Sequence, residues 1–176
     1  YLIKTDGSGN EEWSQTYGTT GWEDYGTVKQ TTDGGYIITG YIESFGNGDE
    51  DVWLIKTDEN GNEQWSQTYD GSGGDDWGVS VQQTTDGGYI VGGYTGEDGF
   101  ENGDEDVWLI KTDGSGNEEW SQTFGGQEDD NGFSVQQTTD GGYIVGGYTE
   151  SFGNGSSDLY LIKTDGSGNE EWSQTY

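Results

Sequence analysis

Apolar and β-branched residues occur in short runs separated by polar, glycine-rich segments, and no stretch of the chain has the period of an amphipathic helix. Thr, Tyr, Ile, Val and Trp, which suit pleated strands, occupy these runs. The segments between them, such as Asp-Gly-Gly at 140–142 and Asp-Gly-Ser-Gly-Asn at 165–169, have the composition of tight turns. Near the C-terminus, where the pattern is clearest, the predicted strands are residues 134–138, 143–148, 158–163 and 170–176.

This pattern of four runs recurs along the chain. The segment Leu-Ile-Lys-Thr-Asp occurs four times, at intervals of 52, 55 and 52 residues, and residues 1–17 are identical to residues 160–176. Periods of this length are typical of repeat proteins, and four antiparallel strands per period match the blade of a β-propeller. We therefore predict an all-β protein of β-propeller type, built as a single repeat domain over residues 1–176. Its predicted parts are an N-terminal half-blade at 1–17 and four-stranded antiparallel blades at 24–69, 76–124 and 130–176.

The number of blades bears on how the fold closes. Closed propellers have about four to eight blades, so three blades and a half-blade do not complete a ring. The chain is therefore expected to belong to a longer array, or to form an oligomer or filament through its repeat ends, because an uncovered strand edge pairs readily with another chain. An open β-solenoid-like array, with two coils in each period, is the alternative architecture.

Two repeated runs resemble those of known propellers. Lys-Thr-Asp-x-x-Gly-Asn-Glu-x-Trp-Ser-Gln-Thr followed by Tyr or Phe resembles the tryptophan-docking blade motif of pyrroloquinoline-quinone-type β-propellers, and Asp-Gly-Gly-Tyr-Ile-Val-x-Gly-Tyr resembles repeats of secreted bacterial and archaeal propeller-like proteins. The resemblance covers nearly the whole chain and implies a propeller fold. It does not extend to quinone chemistry, because those enzymes need cationic residues, many also use a vicinal cysteine pair, and this chain has neither Arg nor Cys. The first run lies at 4–17, 56–69, 111–124 and 163–176, and the second at 86–94 and 140–148.

Composition excludes several classes of function. The chain has 35 acidic residues and five lysines, giving a net charge of −30, and it has no His or Cys. Zinc fingers, thiol nucleophiles, haem ligation and His-based triads are therefore excluded. Nucleic-acid binding is not expected, because it depends on Lys and Arg at phosphates, and an anionic membrane surface is disfavoured for the same reason. No apolar run is long enough to span a bilayer, so no membrane insertion is expected.

Acidic groups before the third strand of two repeats, and in one following turn, make Ca²⁺ the candidate cofactor. Carboxylate and amide oxygens at alternate positions suit this ion, which prefers oxygen ligands. The same turn composition also suits a hairpin in which the Asp side chain bonds to its own backbone, and both interpretations stay open. Further acidic pairs recur at 23–24, 75–76 and 129–130. The candidate calcium ligands are Asp49, Asp51, Asp104, Asp106, Asp113 and Asn117.

The aromatic residues fall into two groups. The repeated strand tryptophans Trp13, Trp65, Trp120 and Trp172 are expected to pack between blades, because large flat side chains supply most of a core that is poor in aliphatic residues. Aromatic residues in loops are candidates for stacking on a sugar, and the alternative is that they anchor their loops. These candidate ligand-binding residues are Trp22, Phe45, Phe100 and Phe152.

Near-identical repeats favour stacking or multivalent binding over a single catalytic site, because nearly every acidic residue has a counterpart one period away. We therefore expect a non-enzymatic structural or adhesive module, extracellular or at the cell surface, whose affinity sums repeated weak contacts. The expected partners are further copies of the chain, a glycan or a surface protein. The alternatives are a carbohydrate- or calcium-binding lectin-like propeller, and an engineered or excised propeller fragment.

Overall fold

The structure, a computed structural model, describes residues 1–19, 21–43, 50–71, 74–96 and 105–176. These residues form fourteen β-strands and no helix, which confirms the all-β prediction. The strands make one two-stranded sheet and three four-stranded antiparallel sheets. Within the described ranges, nothing forms a helix of the length and apolarity that crossing a membrane requires.

Each four-stranded sheet is a meander in which neighbouring strands follow one another along the chain. The N-terminal hairpin comprises β1 (Leu2–Thr5) and β2 (Glu11–Gln15). Sheet I comprises β3 (Glu23–Gln30), β4 (Tyr36–Glu43), β5 (Glu50–Thr57) and β6 (Glu63–Tyr69). Sheet II comprises β7 (Asp76–Gln83), β8 (Tyr89–Gly96), β9 (Glu105–Thr112) and β10 (Glu118–Phe124). Sheet III comprises β11 (Asp130–Gln137), β12 (Tyr143–Thr149), β13 (Asp158–Thr164) and β14 (Glu170–Thr175).

Sheets I, II and III stack in chain order. The first strand of sheet II, β7, lies across β3, β4 and β5 of sheet I, and β11 of sheet III lies across β7, β8 and β9. The core therefore sits at the two junctions between sheets, where apolar side chains from both faces leave water. The junction of sheets I and II buries Ile37, Val52, Leu54, Tyr69, Val81, Tyr89, Val91, Trp108 and Ile110. The junction of sheets II and III buries Ile90, Val107, Leu109, Phe124, Val135, Tyr143, Val145, Tyr160 and Ile162.

One set of contacts marks each junction. Trp65 on β6 packs edge-on against Tyr89 on β8, with ring centroids 5.7 Å apart, and the Tyr69 hydroxyl donates a hydrogen bond to the carbonyl oxygen of Gly116 at 2.7 Å. A β-carbon on Gly116 would lie 2.7 Å from the Trp65 ring, so position 116 must carry no side chain. The equivalent rings at the junction of sheets II and III are also 5.7 Å apart.

The N-terminal hairpin makes the same contacts on sheet I. Trp13 on β2 packs edge-on against Tyr36 at 5.6 Å, and the Tyr17 hydroxyl donates to the carbonyl oxygen of Gly61 at 2.6 Å. The hairpin therefore occupies, on sheet I, the position that β5 and β6 occupy on sheet II.

The lysine of the repeated Leu-Ile-Lys-Thr-Asp segment is buried in each sheet. Lys111 on β9 is 3% exposed, and its Nζ donates to the carbonyl oxygen of Thr112 at 2.8 Å and to Glu119 at 2.7 Å. The same ammonium pairs with Asp86, in the turn between β7 and β8, at 3.0 Å. Burial alone would lower the pKa of Lys111, but the two carboxylates raise it above its ordinary value. The equivalent lysines are Lys56 and Lys163.

Replacing Lys111 by methionine is expected to lower the free energy of unfolding by about 2 kcal/mol, the scale of hydrogen bonds to a charged group. The substitution removes the donor to Thr112 and the counter-ion of two carboxylates. Lys4 is the matched control, because it has the same repeat position in the hairpin but is 39% exposed and pairs with Glu12. Lys4→Met is expected to cost less than about 0.5 kcal/mol. Urea denaturation compares the two variants, and equal losses would contradict the role given to the buried lysine.

Candidate functional site

Four of the candidate calcium ligands were predicted just before, or at the start of, a third strand. Asp49 and Asp104 lie outside the described residues. Asp51 lies on β5, where it is 9% exposed, and Asp106 lies on β9, where it is half-buried. Both described residues therefore face the interior of the stack rather than an open loop.

The other two candidates, Asp113 and Asn117, form the turn between β9 and β10. Asp113 Oδ1 accepts hydrogen bonds from the backbone N–H groups of Ser115 and Asn117 at 2.8 and 2.9 Å, and Oδ2 accepts one from the Asn117 side chain at 2.8 Å. These bonds, that from the Asn117 side chain foremost, lower the pKa of Asp113. The turn thus contains the self-bonded Asp that the hairpin interpretation requires. The same bonds are made at Asp6, Asp58 and Asp165.

Three carboxylates meet at the junction of sheets I and II. Asp51 comes from β5, Asp70 follows β6, and Asp76 lies on β7. One oxygen of each lies within 4.8 Å of the other two. Asp76 is fully buried; its Oδ2 accepts a hydrogen bond from the Gly71 N–H, while its Oδ1 has no hydrogen-bond partner among the described residues.

The electrostatics of this junction oppose ionisation of Asp76. Burial raises its pKa to about 6; hydrogen bonds from Thr95 and Gly71 counteract the rise, and the charges of Asp51 and Asp70 add to it. At neutral pH the Asp76 carboxylate is ionised although it is cut off from water and close to two other acidic groups. A cation at this position would offset that charge directly.

The junction of sheets II and III repeats the arrangement with one carboxylate fewer. Asp106 comes from β9 and Asp130 from β11. Asp130 is fully buried, and neither of its oxygens has a hydrogen-bond partner in the described part of the chain. A β-carbon on Gly125 would collide with Asp106 Oδ1 and lie 2.8 Å from Asp130 Oδ2, so both carboxylates face the same space. Gly125 has the repeat position of Asp70.

Stacking of the sheets unites acidic groups that lie far apart along the chain. The sequence pattern marks Asp51 and Asp106 as candidate ligands, but the pairs at 75–76 and 129–130 stand far from them along the chain, and the pattern does not connect the two sets. The signal that could have connected them is their nearly constant separation, 25 residues from Asp51 to Asp76 and 24 from Asp106 to Asp130. Asp70 was missed because only one repeat carries it.

The loop aromatics have different surroundings. Phe45 and Phe100 lie outside the described residues. Trp22 is 79% exposed. Phe152 packs its ring against Tyr160 on β13, with centroids 5.7 Å apart. The Trp22 ring is thus open to solvent, whereas the Phe152 ring packs against a strand.

An aromatic group outside the candidates predicted from the sequence spans sheets I and II. Trp77 on β7 lies between Tyr41 on β4 and Tyr94 on β8, with ring centroids 4.4 and 5.7 Å from its own. The equivalent of Trp77 in the next repeat is Asn131, so repetition gave no reason to select it. This stack adds to the packing of the junction beside the acidic cluster.

Comparison with models of protein families finds none that matches this chain, and comparison with curated proteins finds no match. The junctions and the two ends of the stack are therefore the features of this protein that bear on its function.

Proposed function

We propose that this protein is a non-enzymatic structural repeat module that associates head to tail, with sheet III of one molecule stacked on sheet I of the next. The observation that carries the proposal is a face of sheet III that is exposed, although its counterparts on sheets I and II are buried. Leu159 is 51% exposed, whereas its counterparts Val52 and Val107 are 1% and 0% exposed. Trp172 and Tyr176 on the same face are 44% and 72% exposed.

Sheet I offers the complementary surface. The N-terminal hairpin covers only part of it, because the hairpin has two strands where a full sheet has four. A cavity of about 230 Å³ remains beside the hairpin, lined by Tyr17 together with Ile38 and Ile55 of sheet I. Val28 on β3 is 42% exposed, whereas its counterpart Val81 on β7 is fully buried. The uncovered part of sheet I thus matches the strands that the hairpin lacks.

Residues 160–176 of a second molecule suit the place of residues 1–17 because the two sequences are identical. Trp172 would then pack on Tyr36 as Trp13 does, and Tyr176 would bond to Gly61. Sheet III of the second molecule also contributes β11 and β12. These strands would fill the cavity that lies beside the hairpin in a single molecule, and they would cover β3 of sheet I. Sheet III of a second molecule buries more apolar surface on sheet I than the hairpin does. Because two molecules must meet, this replacement of the hairpin is favoured as the protein concentration rises.

The proposed association would also complete a propeller. If each of two molecules stacks its sheet III on sheet I of the other, the pair forms a ring of six sheets. Closed propellers have about four to eight blades, so a ring of six is within their range. If the ends do not meet, the same contact propagates as a filament. Either assembly presents many identical surfaces, which suits a structural or adhesive role through avidity. The acidic, cysteine-free composition is the basis for proposing an extracellular or cell-surface location.

Replacing Trp172 by alanine is expected to weaken self-association by about tenfold or more, because a large aromatic anchor at an interface is removed. The matched control is Trp13→Ala, the same substitution in the same 17-residue sequence. It loosens the hairpin that competes for sheet I, so association is expected to be retained or strengthened. Sedimentation equilibrium over a range of concentrations measures both. A wild-type chain that stays monomeric, or equal effects of the two substitutions, would contradict the proposal.

A further inference from the structure

Asp76 and Asp130, which are fully buried, carry oxygens that have no hydrogen-bond partner among the described residues. A carboxylate removed from water is usually compensated by hydrogen bonds or by a counter-ion. Asp76 Oδ1 and both oxygens of Asp130 have no hydrogen-bond partner among the described residues, and both side chains are 0% exposed. The buried lysines do not supply the charge, because Lys56, Lys111 and Lys163 pair with acidic residues in turns. The unpartnered oxygens of Asp76 and Asp130 are thus available to an external cation.

The spacing of the oxygens in the first cluster fits a calcium ion. Calcium binds oxygen ligands at roughly 2.3–2.6 Å, so two ligands of one ion lie up to about 5 Å apart. The oxygens of Asp51, Asp70 and Asp76 lie within 4.8 Å of one another, inside this limit. Magnesium binds at about 2.1 Å, requires near-octahedral geometry and gives up its water ligands reluctantly, whereas calcium accepts six to eight oxygens in a flexible geometry. The cluster therefore favours a divalent ion of calcium size.

We propose that the junction of sheets I and II binds one such ion through Asp51, Asp70 and Asp76, and that the junction of sheets II and III binds a second through Asp106 and Asp130. The second site is the weaker, because Gly125 stands where the first has Asp70. Each ion joins the third strand of one sheet to the first strand of the next, and so reduces the repulsion of a chain with a net charge of −30. Both junctions lie within one molecule, so this inference does not depend on the proposed self-association.

Titration calorimetry with calcium chloride tests the proposal on the chelator-treated 176-residue chain at neutral pH and constant ionic strength. The wild-type protein is expected to show one tighter and one weaker site. Asp76→Asn is expected to weaken the tighter site by about tenfold or more, because ligand charge sets affinity, while Asp130→Asn affects the weaker site. Magnesium chloride in place of calcium separates binding at a site from general screening of charge.

Two further variants keep the test decisive. Asp70 is exposed, so Asp70→Asn leaves the buried core intact, and it too is expected to weaken the tighter site by about tenfold. Asp113→Asn removes a carboxylate from the turn between β9 and β10 and is expected to leave both junction sites unchanged. The proposal is overturned if millimolar calcium produces neither heat of binding nor a shift in thermal unfolding. It is also overturned if Asp113→Asn abolishes binding while Asp76→Asn and Asp70→Asn retain it.

Discussion

Gly147→Ala is expected to lower the free energy of unfolding by about 3 kcal/mol, at the upper end of the cost of forcing extra volume into a packed site. A β-carbon on Gly147 would collide with the carbonyl oxygen of Asn131 and lie 3.1 Å from the Cα of Gly132. Both atoms belong to the backbone of β11, which pairs with β12 at this point, so they cannot move away without breaking the ladder. Gly93 stands in the same relation to the carbonyl oxygen of Trp77 in sheet II.

The neighbouring glycine of the same strand is the matched control. A β-carbon on Gly146 would meet only Leu161 Cδ2, at the ordinary contact distance of 3.6 Å. Neither Gly146 nor Gly147 has a positive φ, so the two positions differ in the space around them and not in backbone conformation. Gly146→Ala is expected to stay within about 1 kcal/mol of the wild type. Urea denaturation of both variants decides the matter, and a similar loss in each would show that close backbone approach is not the reason for glycine at 147.

Without a bound cation, the protein is expected to be most stable near pH 4 and to lose stability as the pH rises towards neutrality. The pKa of Asp76 is about 6 in the folded protein because of its burial, against an ordinary value of 3.8. Between these values the folded state holds a proton that the unfolded state has released, so a rising pH favours unfolding. The pKa of Glu50, raised by burial and by the nearby charge of Asp75, acts in the same direction.

On the acidic side of its maximum, the stability of the protein changes with pH in the opposite direction. A hydrogen bond from the Lys56 ammonium is the main cause that lowers the pKa of Asp33 to about 2. Burial opposes the effect at Asp86, but hydrogen bonds from Thr84, Gly88 and Lys111 lower its pKa to about 2 as well. Between about pH 2 and 4 the folded state therefore binds fewer protons than the unfolded state, and stability rises with pH.

The Asp76→Asn variant separates the contribution of Asp76 to the pH dependence of stability from that of the other acidic residues. The groups that act on Asp76 are the carboxylates of Asp51 and Asp70, the Thr95 hydroxyl and the Gly71 N–H. Removing the charge is expected to raise the stability of the cation-free protein at neutral pH by about 3 kcal/mol, since the pKa shift is about two units and each unit is worth about 1.4 kcal/mol. The decline above pH 4 is expected to flatten.

The control for this profile is Asp86→Asn, which removes a carboxylate whose pKa is lowered instead of raised. It is expected to lower stability at neutral pH and to weaken the rise on the acidic side. Urea denaturation with chelator present, at about pH 3, 4.5 and 7, compares the two variants with the wild type. A profile of Asp76→Asn that runs parallel to that of the wild type would show that the decline comes from the net charge alone.

Local pattern was enough to predict the strands and their turns. Strands predicted at 143–148 and 158–163 correspond to β12 (Tyr143–Thr149) and β13 (Asp158–Thr164). The strand predicted at 134–138 begins earlier, since β11 starts at Asp130. The polar residues at the start of β11 have low β-propensity, so the sequence does not reveal that they belong to the strand. Asp130 is part of β11 because it pairs with Thr149 and because β11 packs against sheet II.

The sequence by itself determined the class of the fold, because alternation, β-propensity and turn composition are properties of neighbouring residues. It also determined that one unit is repeated, since nearly identical segments meet nearly identical surroundings. Only the tertiary structure decided which acidic residues share a site. Asp51 and Asp76 lie on different sheets, and their approach depends on the order and direction in which those sheets stack. The tertiary structure also decided that Lys111 is buried while Lys4 is not. The hairpin lacks the two strands that would cover Lys4.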